Sequence, residues 1–204
     1  KACSFGHAAT TSFFPAKPLG CYGDGGAIFT NDHGLAELLG SIRIHGKGST
    51  RYDNVRLGLN SRLDTIQAAI LQVKFQAFID YELEQINQIA NLYTEKLKDI
   101  VETPVIPEGY YSSWAQYTVQ LESQRQRDIL QEELKKRDIP TMVYYPKPLS
   151  QQTAFAGLSC TNDELMVTKG LCDRVLSLPN HSYLHRKEIL AIVEEINKSI
   201  SKKQ

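Results

Sequence analysis

Ser12-Phe13-Phe14-Pro15-Ala16-Lys17-Pro18-Leu19-Gly20-Cys21-Tyr22-Gly23-Asp24-Gly25-Gly26-Ala27 is the stretch that decides the reading of this 204-residue sequence. A lysine stands between an aromatic pair and a run of glycines, in a segment otherwise poor in charge. Pro15, Pro18 and Gly20 flank Lys17 closely, so neither a regular helix nor a central strand runs through it. A lysine held by irregular, partly apolar backbone is a candidate for reactive amine chemistry, because desolvation favours the neutral, nucleophilic form of an amine. A solvated loop lysine has the same local look, so the weight falls on what surrounds it.

Working outward, Ala8 to Phe14 reads as a buried strand ending at Pro15. Asp24-Gly25-Gly26 is a turn signal, and Ala27-Ile28-Phe29-Thr30 reads as a second strand. The pair makes a hairpin-like excursion with Lys17 on its connection. Asp32 is placed to cap a short helix through Leu35, Leu38 and Leu39, stopped by Gly46. Residues 46–60 are a polar loop. Gly46-Lys47-Gly48-Ser49-Thr50 lacks the spacing of a phosphate loop, and nothing reads G-x-G-x-x-G, which argues against a dinucleotide fold. From Asp64 a long helical segment begins, with Ile66, Ala69, Ile70 and Val73 on one face. After a change of phase near Asp80, Ile86, Ile89, Ala90, Tyr93 and Leu97 share another, which suits a helix linking two domains and bending near Asp80-Tyr81.

Beyond Pro104 the rhythm becomes that of an α/β unit. Trp114 to Leu121 alternates as a strand, Arg125 to Arg137 is an amphipathic helix and Ile139 to Tyr144 is a second strand. A helix over Asn162 to Val175 capped by Asn162, a short strand at Ser177-Leu178 and a terminal helix over Lys187 to Ile200 complete it. The expected domains are therefore 1–100 and 101–204.

Composition excludes several classes. With 23 basic and 23 acidic residues there is no global electrostatic reason to expect nucleic acid, and no local basic cluster suggests it. No apolar run approaches the roughly 20 residues that cross a bilayer, and no secretory signal opens the chain, so no membrane partner is expected. The four cysteines (Cys3, Cys21, Cys160, Cys172) are scattered without a C-x-x-C pair, so metal ligation and a disulfide framework are not expected and a reducing cytoplasm fits.

Residues 12–26 resemble the Schiff-base segment of the DegT/DnrJ/EryC1/StrS family, whose motif reads Ser-Phe-x-x-x-Lys-x-Leu-Gly-x-x-Gly-Asp/Glu-Gly-Gly; every fixed position matches. Arg43-Ile44-His45-Gly46 and Gly58-Leu59-Asn60-Ser61-Arg62-Leu63-Asp64, followed by Gln67-Ala68-Ala69, continue the likeness. Trp114-Ala115-Gln116-Tyr117 and Tyr144-Tyr145-Pro146-Lys147-Pro148-Leu149 extend it over nearly the whole chain.

The resemblance implies an α/β fold, the PLP-dependent transferase fold type I. Residues 1–100 would be the C-terminal part of the PLP-binding large domain with its long linking helix, and 101–204 the small domain. In that family the region from Lys1 lies about midway along the polypeptide, so this chain is expected to be the C-terminal half of a longer enzyme. The acidic partner of the pyridine nitrogen and the aromatic that stacks on the ring would belong to the other half. By resemblance Lys17 forms the Schiff base with pyridoxal 5′-phosphate (PLP) and moves a proton between the sugar carbon and the cofactor. Ser12 would donate to the cofactor phosphate. Asn60 would reach the phosphate of a neighbouring subunit's cofactor, which makes a homodimer the expected assembly; as a residue before a helix it also has good capping chemistry. Arg43, Arg51, Arg56 and Arg62 supply cations of the kind a nucleotide diphosphate requires, and each reads equally as a solvated or ion-paired arginine. Arg51, Tyr145 and His181 are substrate-side candidates; Tyr144, Lys147 and Tyr183 lie on the same kind of loop, and His45 reads as an active-site-rim residue or, more often for a lone histidine before Gly46, as structural. The implied activity is an aminotransferase acting on a nucleotide-linked keto-sugar with glutamate as donor, the wording of residues 18–27 looking most like members that aminate UDP-N-acetyl keto-sugars for surface polysaccharide. The alternatives are a PLP-dependent sugar dehydratase, in which histidine replaces the lysine, and a non-catalytic sensor or oligomerisation relative.

Overall fold

The computed structural model describes residues 1–155, 157 and 165–201, and the chain divides into two compact units, Lys1–Asp80 and Tyr81–Gln204. The first unit is built on an antiparallel hairpin, β1 (Ala9–Ser12) and β2 (Gly26–Phe29), in register from Ala9 opposite Phe29 to Ser12 opposite Gly26. The strand expected over Ala8 to Phe14 is shorter than that and is not buried. Ala9 and Thr11 are half-covered while Thr10 and Ser12 are exposed, as alternation on a two-stranded ribbon requires.

Helix α1 (His33–Ile42) follows, and Asp32 Oδ1 accepts from Leu35 N at 3.0 Å, the cap its position called for. Helix α2 (Thr65–Ala77) starts after Asp64, whose backbone is extended but whose side chain makes no capping bond. The expected apolar face of α2 is not a core face within this unit: Ile66 and Val73 are exposed, and Leu71 is the buried residue of the helix. Periodicity reports which side chains share a face, not whether a neighbour covers it.

A π-helical turn over Phe78–Glu82 joins α2 to α3 (Leu83–Leu97). A π turn inserts an extra residue into the helical repeat and rotates every later side chain. That is the physical form of the phase change read near Asp80. Ile86, Ile89, Ala90, Tyr93 and Leu97 are all buried, so α3 gives its apolar face to the second unit.

In the second unit β3 (Tyr117–Gln120) pairs antiparallel with β4 (Val175–Leu178), Tyr117 opposite Leu178. Helices α3, α4 (Gln124–Lys135) and α6 (Arg186–Ser201) pack with them around one core, and α5 (Met166–Arg174) lies against α4. The expected strand at Trp114 begins only at Tyr117, because Trp114 sits at φ 49°, outside extended backbone. The strand expected over Ile139 to Tyr144 reduces to one bridge, Met142 to Ser177; Pro140 has no N–H to give a ladder. The cap expected at Asn162 lies outside the described residues. No helix among the described residues is long and apolar enough to cross a membrane, and no group of three His, Cys, Asp or Glu residues there could hold a metal.

At the centre of this core the rings of Tyr93 and Tyr117 stack at 5.1 Å, Tyr117 OH lies 2.7 Å from Thr94 Oγ1, and Tyr93 OH donates to Pro179 O at 3.1 Å. Burial pushes the Tyr117 phenol up from 10.0 to about 12, with the Thr94 hydrogen bond pulling the other way. Burial also raises Tyr93, as do the charges of Tyr117 and Glu188. The unfolded chain therefore ionises these phenols first. The stability they hold is complete below about pH 10 and is lost as pH climbs towards 12. Tyr117→Phe should flatten that alkaline loss by about one proton released per unfolding event, read from unfolding midpoints across the same pH window.

Candidate active site

The connection from β1 to β2 runs from Phe13 to Gly25 and folds back on itself. Phe13 N donates to Gly25 O at 2.8 Å, and Cys21 N donates to Phe13 O at 2.8 Å. The buried Cys21 thiol lies 3.0 Å from both Phe13 O and Gly23 O, so its single S–H proton alternates between two carbonyls and clamps the base. Gly20 is required by close approach: a Cβ there would stand 2.6 Å from Phe14 O and 2.8 Å from Pro15 O.

Lys17 sits at the top of this loop, half-buried, with its backbone N donating to Phe14 O at 2.8 Å. Phe14 N in turn donates to Ser12 Oγ at 3.1 Å. Two local hydrogen bonds through Phe14 thus relate the serine to the lysine. Ser12 spends an oxygen lone pair on Phe14 and keeps its hydroxyl proton to donate, which is what an anion such as a phosphate accepts.

The loop's later limb is held from α2. Gln67 Oε1 accepts from Tyr22 N at 2.8 Å, and Lys74 Nζ stands 5.6 Å from the Tyr22 ring centroid. Gln67 stands within a family motif, and the sequence alone assigns it no task. The available signal was a carboxamide on a helix otherwise apolar at Ile66, Ala69 and Ile70. The Cys21 clamp is likewise invisible in the sequence, because a scattered cysteine announces only what it does not do.

Asn60 is exposed and set by backbone on both sides. His45 N donates to Leu59 O at 2.9 Å, Leu59 N to Ile42 O at 2.7 Å and Ser61 N to Arg43 O at 2.9 Å. Behind it Gly46, at φ +73°, and Gly58 press together: a Cβ on Gly58 would lie 2.0 Å from Gly46 N. His45, also at positive φ, belongs to this crossing through its backbone. A cavity of about 1320 Å3 in the first unit is walled in part by Thr11, Gly25, Arg43, Asn60 and Arg62; neither Lys17 nor Ser12 lines it. The structure therefore links Ser12 to Lys17 through Phe14, while Asn60 lines the cavity with Arg43 and Arg62.

Arg51 is exposed, its guanidinium 5.4 Å from the Tyr52 ring centroid, and Arg56 donates to Ser41 Oγ. In the second unit Tyr145 is exposed with its ring edge-on to Tyr144 at 5.4 Å. His181 is exposed and its carbonyl accepts from Leu184 N at 3.1 Å. The loop bearing it is pinned to the start of α3 by Tyr183 OH, which donates to Glu82 Oε1; that bond raises the phenol's pKa.

The sequence matches the DegT/DnrJ/EryC1/StrS aminotransferase family over residues 1–197. The chain belongs to that family. It is 44% identical over 193 residues to the UDP-2-acetamido-2-deoxy-3-oxo-D-glucuronate aminotransferase of Pseudomonas aeruginosa, covering 94% of this chain and 52% of that protein. It is 45% identical over 195 residues to the "Pleiotropic regulatory protein" of Geobacillus stearothermophilus, covering 94% and 51%. A solved DegT/DnrJ/EryC1/StrS aminotransferase from Brucella abortus superposes with a TM-score of 0.90 at 50% identity, covering 96% of this chain and 52% of that one. The chain thus spans about half the length of the curated relatives it matches. Its mixed α/β architecture is that of the DegT/DnrJ/EryC1/StrS aminotransferases.

Proposed function

We propose that the complete protein is a PLP-dependent aminotransferase of fold type I that moves an amino group from glutamate to a UDP-N-acetyl keto-sugar destined for surface polysaccharide, acting in the cytoplasm as a homodimer. One observation carries this: in a chain of this family, a half-buried primary amine stands on a backbone-clamped loop, two hydrogen bonds from a serine hydroxyl free to donate. The donor set fits PLP, since an amine condenses with its aldehyde and a hydroxyl proton meets its phosphate. Bound there, PLP supplies an electron-accepting ring that stabilises negative charge at the amine-bearing carbon.

The chain's residues do the rest. Lys17 Nζ would hold the aldehyde and, once the incoming substrate amine has displaced it, would be free as the base that carries a proton to and from that carbon. Ser12 Oγ orients the phosphate. Asn60 serves the phosphate of the neighbouring subunit, presented by the backbone crossing at Gly46 and Gly58. Arg51, Tyr145 and His181 are proposed on the substrate side. Residues 1–100 are read as the end of the PLP-binding large domain with its linking helix, the later part of which, α3, packs in the core of the second unit, and 101–204 as the small domain. The relative from Pseudomonas supports the sugar class by its named activity on a UDP-2-acetamido-2-deoxy-3-oxo sugar.

The test supplies PLP, glutamate and a UDP-2-acetamido-2-deoxy-3-oxo sugar to the complete protein. One 2-oxoglutarate should form for each sugar aminated. Sugar dehydration without 2-oxoglutarate would favour the dehydratase. PLP uptake without turnover of any keto-sugar would favour a sensor, a reading the regulatory name of the Geobacillus relative keeps in view.

A further inference from the structure

We propose that Gln67 is a positioning residue that sets where the Lys17 loop stands, a role that rests on Lys17 being the amine that holds PLP. The clamps at the base of the loop join Phe13, Cys21, Gly23 and Gly25 to one another, so they close the loop without fixing it to anything else. Among the described residues, one hydrogen bond ties the connection to an element outside its own hairpin: Tyr22 N to Gln67 Oε1 at 2.8 Å, spanning 45 positions of sequence.

Two further features are shaped around that bond. Gly23 leaves room for the carboxamide, because a Cβ there would stand 3.1 Å from Gln67 Nε2. Lys74 lies two helical turns beyond Gln67 on the same face of α2 and meets the ring of the same tyrosine. Helix α2 therefore holds Tyr22 by its amide and by its ring. Displacement at Tyr22 passes directly to Lys17. Cys21 is bonded to Phe13, Gly20 is packed against the carbonyls of Phe14 and Pro15, and Lys17 N is bonded to Phe14 O.

The experiment compares Gln67→Met, which keeps length and removes the acceptor, with Gln67→Glu, which keeps an acceptor oxygen. Gln67→Asn, too short to reach, repeats the removal should the methionine variant fail to fold. In the apo protein the Tyr22 amide should exchange hydrogen about three- to tenfold faster in Gln67→Met, the range one lost hydrogen bond gives. In the PLP-loaded protein, PLP release should quicken and kcat fall by about the same factor, with KM for glutamate within about twofold. Gln67→Glu should stay within about twofold of the parent in all of these. Faster Tyr22 exchange with unchanged PLP release and kcat would overturn the proposal and leave Gln67 merely structural. So would a glutamate variant as impaired as the methionine one. Lys17→Ala separates the underlying reading: visible PLP absorption that survives it removes Lys17 from its role whatever Gln67 does.

Discussion

Lys17→Ala in the complete protein should abolish the visible absorption of lysine-held PLP and lower turnover by about 10³-fold or more, the scale of a lost proton-transfer group compounded with lost anchoring. Lys17 is the one amine of the connection from Phe13 to Gly25, so nothing on the loop can replace it. The nearby Lys74 is occupied with the Tyr22 ring and belongs to α2. Because the hydrogen bond of Lys17 runs from its backbone to Phe14 O, the alanine variant keeps that turn, and its unfolding midpoint should move little. Lys17→Arg should fail in the same way, since a guanidinium retains the charge but does not condense with an aldehyde at neutral pH. Absorption measured alongside turnover distinguishes lost chemistry from lost fold.

Gly46→Ala should be the most damaging small substitution in the first unit. Gly46 lies at φ +73°, and a Cβ there would stand 1.8 Å from Arg56 O, a backbone atom with no flexible end to swing away. Both positive φ and overlap oppose the change, so a destabilisation of about 3 kcal/mol is expected. Gly40 provides the contrast. It lies inside α1 with nothing within 4 Å of where a methyl group would stand, so Gly40→Ala should stabilise by about 0.5–1 kcal/mol. Denaturant midpoints at constant m-value would show both shifts. Since the crossing of Gly46 and Gly58 frames Asn60, Gly46→Ala should also weaken PLP retention.

What the sequence disclosed was local. The lysine-bearing excursion, the Asp32 cap and the apolar stripe of α3 follow from turn chemistry, capping and periodicity, each settled within a few neighbouring residues. The phase change near Asp80 was visible as a break in that periodicity, and the π turn is its cause. The failures share a different origin. Ile66 and Val73 look like core residues because a stripe records amphipathicity, while exposure depends on what packs against it. The strand at Ile139 to Tyr144 needed partners that β4 gives only to Met142. The bond from Tyr22 to Gln67 and the contact of Gly58 with Gly46 join distant positions, and neither leaves a trace in the spacing of nearby residues.

Reduction of the PLP-loaded complete protein with borohydride, followed by peptide mass spectrometry, bears most directly on the chemistry assigned to the loop. A pyridoxyl group should be found on the peptide containing Lys17. Stable labelling of Lys47 or Lys74 instead, with Lys17 unmodified, would contradict it.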